Sequence, residues 1–588
     1  MKKRNQIEGK YKWDIGLFKT EEEINSAFAD LEFLTKELPK YNGQFTNKDK
    51  FFEFYTKYKE KELNVGRLGY FIGNTLNTDV TNVEMLKLNQ KLDILYSKYL
   101  KATSFVSPQI NDLSEEYLNE LLKDKRCKNL DNEIKDILRN KPHKLDEKTS
   151  QVLSILNNSF ENSENVFEVL TNSEIKFEDA ENCKGKKVKI NESAYSNFLS
   201  KKDRKLRETA FNSIMNGYGK FNKTLSELFI KNLKSHNDNI QLRNFNTLLE
   251  QALYEEEIPS IVYKRNIENV NKNIKTLQNY ISTLRTKSKL ENFSYYDLFV
   301  SQNSNNKITI EQAQNIMLTA LAPLGNEYIN LVKNKLTDKS IDYLPNLNKR
   351  GGAYCSNYYS AKTLILMNWT NDYNSLSTLC HEMGHCINAE YFNSAQPMEK
   401  AGITIFAAEI ASTVNEILLN QYMQSKAKNN KEKEFYIKEF LNDVRSTIFR
   451  QTLFSEFEYF AHSTIEQEQP LTYKELNEKY YELNKKYYGN SCKLPKNLQY
   501  EWSRIPHFYS PYYVYCYSTG LITAITIANK ILKDSSFTQE YIKFLKNGTA
   551  KPPVEMLKEI GIDLTTNKPF EDAFDFIKEQ LDIYKSLK

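Results

Sequence analysis

Glycine and proline are scarce in this chain, 18 and 14 in 588 residues, less than half of the roughly 12 per cent of average proteins. So little punctuation argues against many tight turns and for long helices. Cysteine is also sparse. Its seven residues, at 127, 183, 355, 380, 386, 492 and 516, are odd in number and show no pairing pattern, which argues against a disulfide framework and for free thiols in a reducing compartment. Neither sign of charge dominates. With 81 Lys and Arg against 76 Asp and Glu the net charge is +5, and no long single-sign block gives the footprint of a nucleic-acid partner. No apolar run of 18 residues exists to span a membrane, and the basic start MKKRNQIEGKYKWDI is followed by no hydrophobic signal region. These absences predict a cytoplasmic location.

What is present is helical periodicity. Ile24, Phe28, Leu31 and Leu34 follow a Thr20/Glu23 capping box, and Leu88, Leu92, Leu95 and Tyr99 repeat the spacing. So do Ile267, Val270, Ile274, Leu277 and Ile281, and all of these read as core stripes. Around 174–192 the pattern changes to alternation, with Ile175 and Phe177 before NCKGKK and Val188 and Ile190 after it, which predicts a hairpin. A domain boundary is expected near it, separating a helical lobe over 1–190 from a catalytic lobe over 191–588.

Histidine is rare, six in the whole chain, yet two stand four apart in HEMGH at 381–385. The surrounding SLSTLCHEMGHCINAEYF reads as a helix, with Leu376, Leu379, Met383 and Ile387 at helical spacing and Ser375 as its N-cap. On a helix, His381 and His385 share a face with about 5–6 Å between Cβ atoms, so their imidazoles can converge on one zinc ion. Glu382 then stands beside the ion as a general base for an activated water. A catalytic zinc site needs a third protein ligand. ITIFAAEIASTVNEILLNQYM at 403–423 reads as a second amphipathic helix with Ile405, Ile410, Val414 and Leu418 on one stripe, and it carries Glu409 and Glu416 two turns apart. One of the two can ligate the metal while the other holds a ligating imidazole. Cys380 and Cys386 flank the histidines but face away from them, and read as small core residues.

Two further segments carry chemistry. KRGGAYCSNYYSAKTLILMNW at 349–369 has the glycine punctuation and β-rich composition of a short hairpin. An edge strand there can bind an extended peptide through its main chain. The late segment 502–520 brings His507, Tyr512 and Tyr515 together, and such donors can hold the oxyanion formed when a peptide bond is attacked. His143, His236 and His462 have no comparable setting and read as structural or surface residues.

HEMGH, FAAEIASTVNE at 406–416 and WSRIPHFYSPYYVYCYSTG at 502–520 together resemble the oligoendopeptidase F branch of the thimet-oligopeptidase family of zinc metallopeptidases. The opening YKWDIGLF, the KRGGAY segment and the general length are similar too, so the likeness extends over essentially the whole chain. It implies a mainly α fold of two helical lobes enclosing a deep substrate channel, with a small β-sheet beside the HExxH helix. It implies one Zn2+ held by His381, His385 and Glu409, with Glu416 behind them. His507 and Tyr515, supported by Tyr512, are implied at the oxyanion, and Gly352, Ala353 and Tyr354 along the substrate. The implied activity is endopeptidase cleavage of short peptides, with no nucleic-acid or membrane partner. The sequence carries no signal of oligomeric state. A zinc carboxypeptidase would use the same ligand set but would also bind a terminal carboxylate. A catalytically dead scaffold would lack Glu382 or the His507/Tyr515 group, and this chain has both.

Overall fold

A computed structural model describes residues 1–160, 162–301 and 307–587. The chain is mainly α, as its few turn-forming residues predict, and two small sheets are its only strands among the described residues. Contacts divide it into two compact units. One comprises Met1–Pro142, Asn306–Leu419 and Lys530–Lys551, the other His143–Asn305, Asn420–Asn529 and Pro552–Lys588. This is not the single boundary expected near residue 190. Apolar stripes in distant stretches of chain pack on one another, so each unit is discontinuous in sequence.

In the first unit the helices Glu21–Glu37, Lys59–Thr78 and Val83–Ala102 pack together. The Thr20/Glu23 capping box starts the first of them. Phe28, Leu31 and Leu34 of the predicted stripe are buried, Phe28 in one cluster with Leu68 and Ile72 and Leu31 and Leu34 in another with Val65, with Leu92 and Leu95 packed against both. A three-stranded sheet follows, β3 (Ile341–Asp342), β4 (Tyr354–Ser356) and β5 (Leu364–Leu366), in the order β3-β5-β4. Strands β4 and β5 are antiparallel, pairing Tyr354 with Leu366 and Ser356 with Leu364, whereas β3 runs parallel to β5. Leu364 and Leu366 pack on Trp13, Ile15 and Tyr70, which ties the sheet to N-terminal residues more than 280 positions away in sequence.

The loop before β4 is fixed by Lys349. Its fully buried ammonium pairs with Asp342 Oδ1 at 2.6 Å and donates to the carbonyls of Leu344 and Met367. Gly352, at φ +78°, then turns the chain into β4 through a conformation that a β-carbon disfavours.

In the second unit the helices Asn222–Leu242, Arg450–Glu466 and Tyr473–Tyr488 pack on one another. The predicted hairpin is present as two-residue strands, β1 (Ala180–Glu181) and β2 (Lys187–Val188), paired antiparallel. Asn182 Oδ1 accepts from the backbone N–H of Lys184 and Lys186 and shapes the turn. The hairpin lies within this unit, packed on the helix Arg204–Lys220, instead of marking a boundary. Among the described residues no helix is long and apolar enough to cross a membrane, and all seven cysteines are free thiols.

Candidate metal centre

The HEMGH residues lie on a helix, Tyr373–Ala395, three residues longer at its start than a cap at Ser375 implies. Asp372 caps it, accepting the Ser375 N–H at 2.8 Å. Ser375, the expected cap, stands one turn inside and its hydroxyl accepts from Thr370 N. A free carboxylate outcompetes a serine here because an anion also suits the positive helix N-terminus. The helix packs on β4, β5 and the helices Gly325–Thr337 and Phe537–Lys546, which leaves His381 and His385 half-buried on one face.

The second helix differs from its prediction. It is broken at Glu409 into a turn, Ile405–Ala408, and a helix, Ile410–Ser425. Ile410, Val414 and Leu418 are buried as expected, but Ile405 is exposed because it precedes the break. Glu409 stands at the break and Glu416 two turns further on inside the helix, and the two carboxylates reach different atoms. Glu409 Oε2 lies 3.3 Å from His381 Nε2 and 3.4 Å from His385 Nε2, and the two Nε2 atoms are 3.2 Å apart. Glu416 Oε2 instead lies 3.0 Å from His381 Nδ1. The two roles that spacing alone left open between these glutamates are therefore separated by position.

The donor triangle fits zinc. Bonds of about 2.0–2.1 Å in tetrahedral arrangement place ligand atoms about 3.3–3.4 Å from one another, against 3.2, 3.3 and 3.4 Å here. His381, His385 and Glu409 are also the one His/Cys/Asp/Glu group among the described residues able to hold an ion. A second layer of polar contacts steadies the donors. Ser412 donates to Glu409 Oε2 at 3.1 Å, and Ser377 to Glu416 Oε1 at 3.1 Å. The two helices are bolted together by Asn415, which is fully buried. Its amide donates to the carbonyl of Cys380, and its Oδ1 accepts from Tyr328 at 2.9 Å.

Electrostatics follow from the geometry. Burial opposes a charge on His381, yet the carboxylates on its two nitrogens outweigh it and push its pKa up to about 10. The same hydrogen bonds from His381 and His385 hold Glu409 far below the ordinary carboxylate range. Glu382 is buried, and burial raises its pKa against the pull of the two histidines and of the Cys355 N–H on its carboxylate. A raised carboxyl is better matched to accepting and returning a proton near neutrality.

Sequence reasoning missed several of these supports. Gly384 gave a signal, since a glycine inside a helix costs about 1 kcal/mol and implies a packing reason. A β-carbon there would stand 2.5 Å from Ser412 Cα and 2.7 Å from Ala411 O, so glycine is what lets the helix of His381 and His385 approach the segment of Glu409. Gly352 and Ala353 lead into β4, which is an edge strand as predicted. The Tyr354 hydroxyl is taken up by Asn74 and Asn77 and anchors the strand. His507, Tyr512 and Tyr515 belong to the second unit. His507 sits on the turn Pro506–Tyr509 with its Nε2 3.4 Å from Tyr517 Oη, Tyr512 is buried, and Tyr515, also buried, opens the helix Tyr515–Lys533.

A mainly helical chain whose H-E-x-x-H helix is closed by a glutamate from the following segment defines a class of helical peptidases with a candidate metal site. Comparison with known proteins narrows the class. Residues 197–576 match the model of Peptidase family M3 and residues 109–177 that of Oligopeptidase F. The chain is similar to Oligopeptidase PepF of Bacillus subtilis, 34% identical over 99% of this chain and 88% of that one. It is similar in structure to a candidate peptidase of Chlamydophila abortus, TM-score 0.94 and 30% identity over 100% of both chains. Oligoendopeptidase F of Enterococcus faecium aligns with TM-score 0.71 and 28% identity over 96% of this chain and 99% of that one. This protein belongs to peptidase family M3, in its oligoendopeptidase F branch, and is a peptidase.

Proposed function

We propose that this peptidase is a zinc-dependent endopeptidase that cleaves internal bonds of short oligopeptides in the cytoplasm. The observation that carries the reading is the triangle of His381 Nε2, His385 Nε2 and Glu409 Oε2, whose sides match a tetrahedral zinc site. When bound, zinc supplies a Lewis acid for the scissile carbonyl and lowers the pKa of water beside it. Glu416 fixes the His381 tautomer by accepting from Nδ1, so that Nε2 is the free donor. Glu382 removes the proton of the attacking water and returns it to the leaving amine. The Cys355 N–H orients its carboxylate for both transfers. Edge strand β4, entered through Gly352 and Ala353, offers its main chain to an extended peptide.

The resemblance supports His507 and Tyr515, with Tyr512, as donors to the oxyanion. It also supports the restriction to short peptides, and the free thiols support the cytoplasmic location. The test is Glu382→Gln. The variant keeps its zinc and loses roughly 10²–10⁴ in turnover of a quenched oligopeptide. Turnover within tenfold of wild type at full zinc content refutes the base assignment. Mass spectrometry of the products shows internal cuts, whereas release of single C-terminal residues would make the enzyme a carboxypeptidase.

A further inference from the structure

A second group of chemically capable side chains lies inside the second unit. Glu458 is fully buried on the helix Arg450–Glu466, and no cation pairs with it among the described residues. Its Oε1 accepts the backbone N–H of Tyr512 at 2.5 Å, and its Oε2 has no hydrogen-bond partner there. His462, one turn further along the helix, is buried with its Nε2 likewise unpartnered, and its ring lies 5.0 Å from that of Tyr512. Tyr263 packs edge-on against Tyr512 and Tyr515, each with 5.4 Å between ring centroids. An isolated buried carboxyl is costly, so what it holds in place must account for its presence.

What it holds is a strained residue. Tyr512 has φ +54°, a left-handed conformation that a bulky side chain adopts only where its surroundings impose it. Tyr512 is also the point at which the chain turns from the short helix Pro506–Tyr509 into the long helix Tyr515–Lys533. His507 lies before this turn and Tyr515 after it, so the conformation of one residue sets the placement of both.

We propose that Glu458 is a positioning residue for the 507–515 segment, its carboxyl group locking the left-handed turn at Tyr512 and thereby fixing His507 and Tyr515 relative to one another. The catalytic consequence rests on the peptidase reading above; the structural one does not. Glu458 acts through a main-chain bond and touches no substrate. Burial pushes its pKa up to about 8, against the pull of the Tyr512 N–H, so the neutral acid is the form present at pH 7 and glutamine is its closest mimic.

The experiment compares Glu458→Gln, Glu458→Asp and Glu458→Leu with wild type by amide hydrogen exchange over residues 507–516, and by kcat and KM on a quenched oligopeptide at measured zinc content. Glutamine retains the acceptor; aspartate is a methylene too short; leucine has none. We expect E458Q to keep wild-type exchange and kcat within threefold. E458D and E458L exchange faster in 507–516 but not in 373–395, and lose tenfold or more in kcat with KM and zinc content unchanged. If E458L does not fold, E458D and E458Q still decide the matter. Unchanged exchange in E458D or E458L overturns the proposal whatever happens to activity, as does E458Q behaving like E458L. A wild-type enzyme that cuts no oligopeptide overturns the peptidase reading, and exchange then decides this one alone.

Discussion

Removing the Glu416 carboxylate tests the division of labour between the two glutamates. Glu416 Oε2 sits 3.0 Å from His381 Nδ1 and is itself held by Ser377, so it is the partner that decides which ring nitrogen carries the proton. In Glu416→Ala the Nδ1 hydrogen loses its acceptor, and the tautomer with Nε2 protonated, which cannot bind metal, gains population. Outer partners of ligating histidines are typically worth 10–100-fold in metal affinity, about 1.4–2.7 kcal/mol. Because Ser377, Asn415 and Ser412 remain, no rearrangement of the helices is expected to add to this. Glu416→Gln keeps an acceptor but loses the charge, and falls between wild type and the alanine variant. The assay is competition for zinc with a chelating indicator at fixed pH, with circular dichroism to show that the fold is retained. Zinc binding by Glu416→Ala as tight as that of wild type would refute the orienting role. A loss as complete as that of Glu409→Gln would make Glu416 a direct ligand.

Three further outcomes follow from named contacts. Gly384→Ala drives a methyl group into the Ser412 backbone and should cost about 1–3 kcal/mol of stability, read as a lowered melting temperature together with weaker zinc binding. Asn415→Leu strips the buried Tyr328 hydroxyl of its acceptor and removes the side-chain donor that supplements the helical bond to the Cys380 carbonyl, and should cost about 1–3 kcal/mol for the hydroxyl left unpaired, read by urea denaturation. Glu458 is raised to about 8, so the folded chain keeps a proton that the unfolded chain releases near pH 4.5. Its contribution is present below that pH and is lost as pH rises through 8. The groups that feel it, Tyr263, Tyr512 and Cys516, supply no cation to offset the charge, and burial keeps His462, one turn along the helix, neutral. The melting temperature of wild type should therefore fall relative to that of E458Q between pH 5 and 9, and parallel curves would contradict this.

The metal helix was legible because 3.6-residue periodicity alone places His381 and His385 together, with no knowledge of the partners. Spacing made Glu409 and Glu416 legible as a pair but not by role, which only the family resemblance implied. The periodicity treats 403–423 as one helix, while the structure breaks it at Glu409, and places one carboxylate at the Nε2 atoms and the other at Nδ1. The units were not legible at all. An apolar stripe says that a face is buried, but not that Leu364 will meet Trp13. Strand β3 has two residues and no period to detect. Glu458 gave no signal, because its one side-chain hydrogen bond among the described residues is to the main chain of a residue 54 positions away.

Where the ion sits decides whether His381, His385 and Glu409 form the metal centre. A crystal of the zinc-loaded protein, with diffraction collected at the zinc absorption edge, should show a single anomalous peak about 2.0–2.2 Å from His381 Nε2, His385 Nε2 and a Glu409 carboxylate oxygen, with Glu416 remaining on Nδ1. A peak that Glu409 does not reach, or zinc bound at other residues, would contradict it.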